Sequence, residues 1–250
     1  MNALLTIIGF SVIFFATTSG ALVVFFFKNQ ISSKINSVFL GFAAGVMIAA
    51  SVWSLLLPAI EGSSDYGDFA FLPATVGFLV GGAFIALLGK IMPELNGDDY
   101  KKRIKTFIAI TVHNVPEGLA VGFAFGAAAT LGDTSAYVYA LGLAVGIAIQ
   151  NFPEGVAVSL PLKDSLGKKK AFFYGTISGA VEPVAAVIGL LLATVIAPLQ
   201  PWLLSFSAGA MIFVVAEDLI PESINGNPKF GTWGVVLGFA LMMALDVALG

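Results

Sequence analysis

His113-Asn114-Val115-Pro116-Glu117-Gly118 is a polar hexapeptide set in a stretch too apolar to face water, and it returns as Gln150-Asn151-Phe152-Pro153-Glu154-Gly155. Ionisable groups in a membrane interior are costly, so they mark a functional path, lined by protein or water. His113 is also the only histidine in the chain. Two copies of one polar cluster at matching depths point to a metal site between two helices.

The segments around the two hexapeptides set the fold class. A helix needs about 20 apolar residues to cross roughly 30 Å of hydrocarbon. Eight segments meet that length, at 3–27, 36–60, 69–89, 104–129, 136–160, 171–197, 202–221 and 231–249. The expectation is an all-α membrane protein, a single domain over 1–250, with short Gly- and Pro-punctuated connections. Composition agrees: 58% of residues are hydrophobic and 11% charged, and the mean hydropathy is +0.96. An ordinary soluble domain is far more polar than that. The absence of cysteine excludes disulfides, thiolate metal sites and thiol nucleophiles. The first apolar segment lacks a basic flank and an evident cleavage site, so it reads as a retained first helix.

Charge placement orients the bundle. Lys28 and Lys34 fall in the first loop, and Lys90, Lys101, Lys102, Arg103 and Lys105 in or beside the third. Lys163, Lys168, Lys169 and Lys170 fall in the fifth, and Lys229 in the seventh, whereas the even loops carry Glu61, Asp65 and Asp133. Lys and Arg favour the cytoplasmic side, which places both termini outside a cell membrane crossed many times. Internal similarity adds a second constraint. Phe42-Ala43-Ala44-Gly45-Val46-Met47-Ile48 in span two resembles Phe206-Ser207-Ala208-Gly209-Ala210-Met211-Ile212 in span seven, and each run ends at a proline, Pro58 and Pro221. Spans two and seven cross in opposite directions, so the similarity reads as an inverted repeat, spans 1–3 and 6–8 around spans 4 and 5.

The ligand chemistry follows from helical spacing. Residues three and four apart share a helix face, so His113, Asn114 and Glu117 form one group, and Gln150, Asn151 and Glu154 another. An imidazole, carboxylates and amide oxygens make a borderline-to-hard set. It suits Zn²⁺, Fe²⁺, Mn²⁺, Cd²⁺ or Co²⁺ better than Cu⁺. Pro116 and Pro153 withdraw the helical partners of the Val112 and Ile149 carbonyls, which predicts a kink and a freed acceptor at each. Gly118 and Gly155 keep the adjoining turn free of side chains. Glu182-Pro183 repeats the theme in span six and offers a third carboxylate. Glu217, Asp218 and Asp246 sit nearer helix ends, and their role stays open. Met47 and Met211 read as packing residues, and Asp98, Asp99, Lys101, Lys102 and Arg103 as a solvated segment.

The paired hexapeptides and the eight-span plan resemble the ZIP (Zrt- and Irt-like) metal transporters, more narrowly their bacterial GufA-type branch, over essentially the whole chain. That resemblance implies a binuclear centre with His113, Glu117, Gln150 and Glu154 at one position. Asn114, Asn151 and Glu182 would complete the second, with Glu117 and Glu154 bridging. It also implies an outer entrance near Ser54 and Glu61. Two departures stand out: residues 90–103 hold no histidine, and position 151 is Asn where some relatives carry Asp. The resulting expectation is an importer of divalent metal, zinc first, that works by alternating access. It is not an enzyme and needs no cofactor, and its partners are metal ions and the lipid bilayer rather than nucleic acid. The oligomeric state, a homodimer among the candidates, is open, as is the distinction between carrier and channel. A membrane-embedded metal hydrolase could use the same ligands to activate water, but the chain has no His-Glu-x-x-His pair.

Overall fold

The computed structural model describes residues 2–27, 32–91 and 98–249. Lys28, and the side chains of Asp98, Asp99, Lys101, Lys102, Arg103, Lys105 and His113, lie outside the described residues. Among those described the chain is helical throughout, with no strand. The α-helices are α1 (Ala3–Leu22), α2 (Ser33–Ala50), α3 (Leu57–Glu61), α4 (Phe71–Ile91), α5 (Asp98–Leu131) and α6 (Thr134–Leu166). They continue as α7 (Lys168–Leu191), α8 (Ala193–Ile196), α9 (Gln200–Val214), α10 (Ile220–Gly226) and α11 (Pro228–Leu249). Among the described residues, seven stretches are long and apolar enough to cross a membrane, and they contain α1, α2–α3, α4, α6, α7, α9–α10 and α11. On α4 and α11 most residues are uncovered, and Leu79, Val80, Val236 and Leu237 all point outward. Such contiguous apolar surface is unsustainable in water and natural against lipid.

The two hexapeptide helices outrun the bilayer. The 34 residues of α5 and the 33 of α6 make rods of about 50 Å at 1.5 Å per residue, against roughly 30 Å of hydrocarbon. Both stay helical through their internal prolines, Pro116 in α5 and Pro153 and Pro161 in α6. The sixth apolar segment, read as 171–197, ends earlier than expected. Leu192 leaves the helical region at φ −107°, ψ 21°, and closes α7 before the short α8 begins.

The two similar runs, in α2 and in α9, are followed by the same backbone feature. Each helix passes into a wide π-turn, Ser51–Leu56 after α2 and Val215–Leu219 after α9. The Leu57 N–H bonds the Val52 carbonyl, and the Ile220 N–H bonds the Val215 carbonyl, both five residues back. The next residue is Pro58 in one case and Pro221 in the other. A proline lacks the N–H that the ladder needs and crowds the carbonyl four residues before it. Widening the preceding turn relieves both problems while the helix carries on.

Packing divides the helices into two sets. Helices α1, α5, α6 and α7 pack on one another, with α1 against α6 and α5 against α7 as the closest pairs. In the other set α2 packs against α11 and α4 against α9. The sets meet where α2 touches α6 and where α5 touches α9.

Candidate metal centre

The described polar side chains of both hexapeptides are buried within the α1/α5/α6/α7 set, while Val115 and Phe152 are exposed. Asn114, Glu117, Gln150, Asn151, Glu154 and Glu182 are all fully buried, at 0% exposure. Burying a charge or an amide in an apolar setting is tolerable only when partners replace the lost water. The described hydrogen bonds supply those partners in two groups. Gln150 Nε2 donates to Glu117 Oε1 at 2.6 Å, which joins α6 to α5. Glu182, on α7, accepts from Asn114 Nδ2 of α5 at 3.3 Å and, at its other oxygen, from Asn151 Nδ2 of α6. Asn114 Nδ2 also donates to the Ser178 carbonyl at 2.9 Å, and Asn151 Nδ2 to the Ile13 carbonyl at 3.3 Å. Glu154 follows Asn151 by three residues on α6, and so lies on the same helix face.

This pattern fixes which way the amides face. An amide has two N–H donors and one oxygen, and here the donors are turned into carboxylates and backbone carbonyls. The oxygens Asn114 Oδ1, Gln150 Oε1 and Asn151 Oδ1 accept no hydrogen bond among the described residues. A buried acceptor left unsatisfied costs about 1–3 kcal/mol. Three of them beside three carboxylates form a neutral-plus-anionic oxygen set for a hard or borderline cation. Among the described residues, no three His, Asp or Glu side chains form a metal-holding cluster by themselves. Among the described residues, the amide oxygens are thus the neutral donors beside the carboxylates. The His113 side chain is not described, while its backbone lies in α5 one turn before Glu117.

Glycines next to the glutamates let the helices close on the site. A Cβ at Gly118 would lie 2.3 Å from the Glu182 carbonyl oxygen, and one at Gly155 would lie 2.0 Å from the Thr17 carbonyl oxygen. These two positions admit no side chain, because backbone of α7 and of α1 occupies the space. Beyond keeping the adjoining turn clear, both glycines allow close approach of neighbouring helices.

One member of the cluster escaped sequence reasoning. Thr17 of α1 is fully buried and donates through Oγ1 to Glu182 Oε1 at 3.1 Å. The only hint in the sequence is the run Thr17-Thr18-Ser19 inside an otherwise apolar span. Hydroxyls there commonly bond their own helix carbonyls, as Thr17 also does to Ile13 at 3.3 Å.

Other acids noted in the sequence sit away from this cluster. Ser54 lies in the first π-turn and donates to Asp246 Oδ1 of α11 at 2.7 Å. Together with Glu61 and Tyr139 they line a cavity of about 550 Å³ between α2–α3, α6 and α11. Glu217 and Asp218 occupy the second π-turn, Asp218 buried and Glu217 exposed. Met47 and Met211 are fully buried, and the Ser51 hydroxyl bridges the Met47 carbonyl at 2.7 Å and the Met211 sulfur at 3.8 Å.

Comparison with known proteins places this arrangement in a family. Residues 101–246, which include both hexapeptides, match the family described as ZIP Zinc transporter. The chain is 38% identical to "Zinc transporter ZIP11" of Xenopus tropicalis, with 94% of each chain covered. It is 35% identical to "Zinc transporter GufA" of Myxococcus xanthus, over 94% of this chain and 95% of that one. It is 36% identical to "Zinc transporter ZIPB" of Bordetella bronchiseptica, over 95% of this chain and 79% of that one. Matches that run nearly end to end, on a chain with several helices long and apolar enough to cross a membrane, lead to one conclusion: this multi-pass membrane protein belongs to the ZIP zinc transporter family.

Proposed function

We propose that this protein carries divalent metal ions, zinc foremost, into the cytoplasm through a two-position centre between α5, α6 and α7. One observation carries the reading. Asn114, Glu117, Gln150, Asn151 and Glu154 of the duplicated hexapeptides are fully buried, with the amide donors spent on carboxylates and backbone carbonyls and three amide oxygens left without hydrogen-bond donors among the described residues. The first position would use His113, Glu117, Gln150 and Glu154. The second would use Asn114, Asn151 and Glu182, with Glu117 and Glu154 between the two. The hydrogen bonds divide along the same line, Gln150 with Glu117 and both asparagines with Glu182.

In this reading α5 is the eighth span, and the repeat relates α1 to α7, α2 to α9, α4 to α11 and α5 to α6. Packing supports that exchange: it turns α1·α6 into α7·α5, α2·α11 into α9·α4 and α2·α6 into α9·α5, and every one of these pairs is in contact. The matched π-turns before Pro58 and Pro221 support it independently. The basic odd loops place both termini outside, and the inward direction is the one the family resemblance implies. The family match and its relatives, each named a zinc transporter, set aside the hydrolase reading and make zinc the first cargo to test.

The test is metal flux in proteoliposomes of purified protein, across Zn²⁺, Cd²⁺, Mn²⁺, Fe²⁺ and Co²⁺. Saturable zinc flux that Glu117→Ala abolishes is the expected result. Zinc flux that survives this substitution would sink the site assignment, and flux that never saturates would favour a channel.

A further inference from the structure

We propose that Thr17 is a positioning residue for Glu182, which makes α1 a fourth wall of the second metal position; the proposal rests on the two-position reading above. Glu182 receives no described side-chain hydrogen bond from its own helix. Its donors come from three others: Thr17 on α1, Asn114 on α5 and Asn151 on α6. Two of them, Thr17 and Asn114, converge on Oε1, and Asn151 alone holds Oε2. Asn114 and Asn151 have a second task in this centre, because their oxygens are candidate ligands. Thr17 is the one donor free of that task, so its role is to hold the carboxylate in place.

The hydroxyl sits in a closed circuit. Thr17 Oγ1 is 3.1 Å from Glu182 Oε1 and 3.3 Å from the Ile13 carbonyl, and that carbonyl also accepts from Asn151 Nδ2 at 3.3 Å. A hydroxyl carries one proton, so Thr17 can serve Glu182 or Ile13 but not both fully at once. When a cation draws on Oε1, the hydroxyl can turn to Ile13 without being stranded in apolar surroundings. The donor therefore orients the carboxylate and can still yield it to a metal.

The methyl side of Thr17 is fixed as well. A Cβ at Gly179 of α7 would fall 2.6 Å from Thr17 Cβ and 2.8 Å from its Cγ2. The threonine thus fills a notch on α7 three residues before Glu182. This packing contact gives a rival explanation, that Thr17 only spaces α1 from α7, and the two make opposite predictions. Valine keeps the branched shape and loses the hydroxyl; serine keeps the hydroxyl and loses the methyl group.

The experiment measures zinc binding to purified protein by titration, and flux against zinc concentration in proteoliposomes. It uses Thr17→Val, Thr17→Ser, Glu182→Gln and the double variant Thr17→Val/Glu182→Gln. Substitution of a group that orients a metal ligand typically costs roughly 10–100-fold in affinity. Thr17→Val should weaken the second zinc and raise the half-saturating concentration by roughly tenfold or more. Its maximal flux should stay within about twofold, because a positioning loss falls on metal affinity. Thr17→Ser should remain near wild type, and Thr17→Val should add little once Glu182 is glutamine. If Thr17→Ser is the more damaged variant, or Thr17→Val lowers thermal stability and maximal flux without moving half-saturation, the residue is a spacer and the proposal falls. If Glu182→Gln weakens the second ion while Thr17→Val does not, the proposal falls and the two-position reading stands. If Glu182→Gln itself leaves both ions unaffected, both fall together.

Discussion

A methyl group at Gly118, directly after Glu117, tests how the centre is held. A Cβ there falls 2.3 Å from the Glu182 carbonyl oxygen and 2.9 Å from both Glu182 Cα and Ala185 Cβ. Ordinary contact begins at 3.4 Å, so α7 has to retreat from α5 by about 1.1 Å in a close-packed interior. The obstacle is backbone, which cannot swing aside as a side-chain tip can. Glu182 moves with its helix, away from the Asn114 amide that donates to it. Metal–ligand distances tolerate about 0.2 Å, so the displacement is several times what a site can absorb. Overpacking costs about 1–3 kcal/mol, and alanine regains about 0.5–1 kcal/mol over glycine within a helix. The net loss of stability is modest, on the order of 1–2 kcal/mol, whereas metal affinity should drop by roughly 10–100-fold. Zinc flux against concentration, measured beside thermal unfolding of the same preparation, separates the two effects. Gly82→Ala is the control: its Cβ would meet nothing closer than 3.6 Å, so it should be neutral or slightly stabilising. A Gly118→Ala protein with wild-type half-saturation and wild-type melting temperature would refute the close-approach argument.

Glu117→Ala or His113→Ala should abolish uptake while leaving the protein folded, as judged by gel filtration and helical circular dichroism; near-normal zinc flux from either would contradict the ligand assignment. Charge counting makes a separate prediction, because three carboxylates and two divalent ions leave a net +1 at low dielectric, where residual charge is expensive. The second ion should therefore bind more weakly than the first, Glu182→Gln should weaken it further, and Asn151→Asp should strengthen it. Anomalous diffraction from crystals soaked at graded cadmium concentrations reads both occupancies, and equal filling at every concentration would overturn the argument. The chain has no native cysteine, so single cysteines report topology without a background. A cysteine replacing Asp133 should react with an impermeant maleimide added outside intact cells, and one replacing Lys169 only after permeabilisation; the reverse pattern would invert the proposed orientation.

How much was legible in the sequence follows from how far each interaction reaches along the chain. Hydropathy over 20-residue windows is a local property, so the apolar helices were readable, as was the i, i+3, i+4 clustering within each hexapeptide. The two prolines ending the similar runs in spans two and seven were visible too. The candidate polar residues of both hexapeptides and Glu182 were visible as well, because each is an ionisable or amide side chain inside an apolar stretch. What stayed hidden depended on atoms far apart in sequence or on a choice of backbone geometry. Proline chemistry announces a disturbed helix, but whether it kinks, breaks or widens into a π-turn depends on what packs around it. Which end of an amide faces the centre is decided by the carbonyls of Ser178 and Ile13, which no motif contains. Thr17 and Glu182 are 165 residues apart, and only the packing of α1 against α7 brings them to 3.1 Å. The sequence by itself determined the solvent of this protein and the identity of most of its polar cluster, because both are written in local composition and helical spacing. The tertiary structure decided which way each polar group points and which helices share it, because hydrogen-bond direction and helix approach are set by neighbours that adjacent residues do not encode.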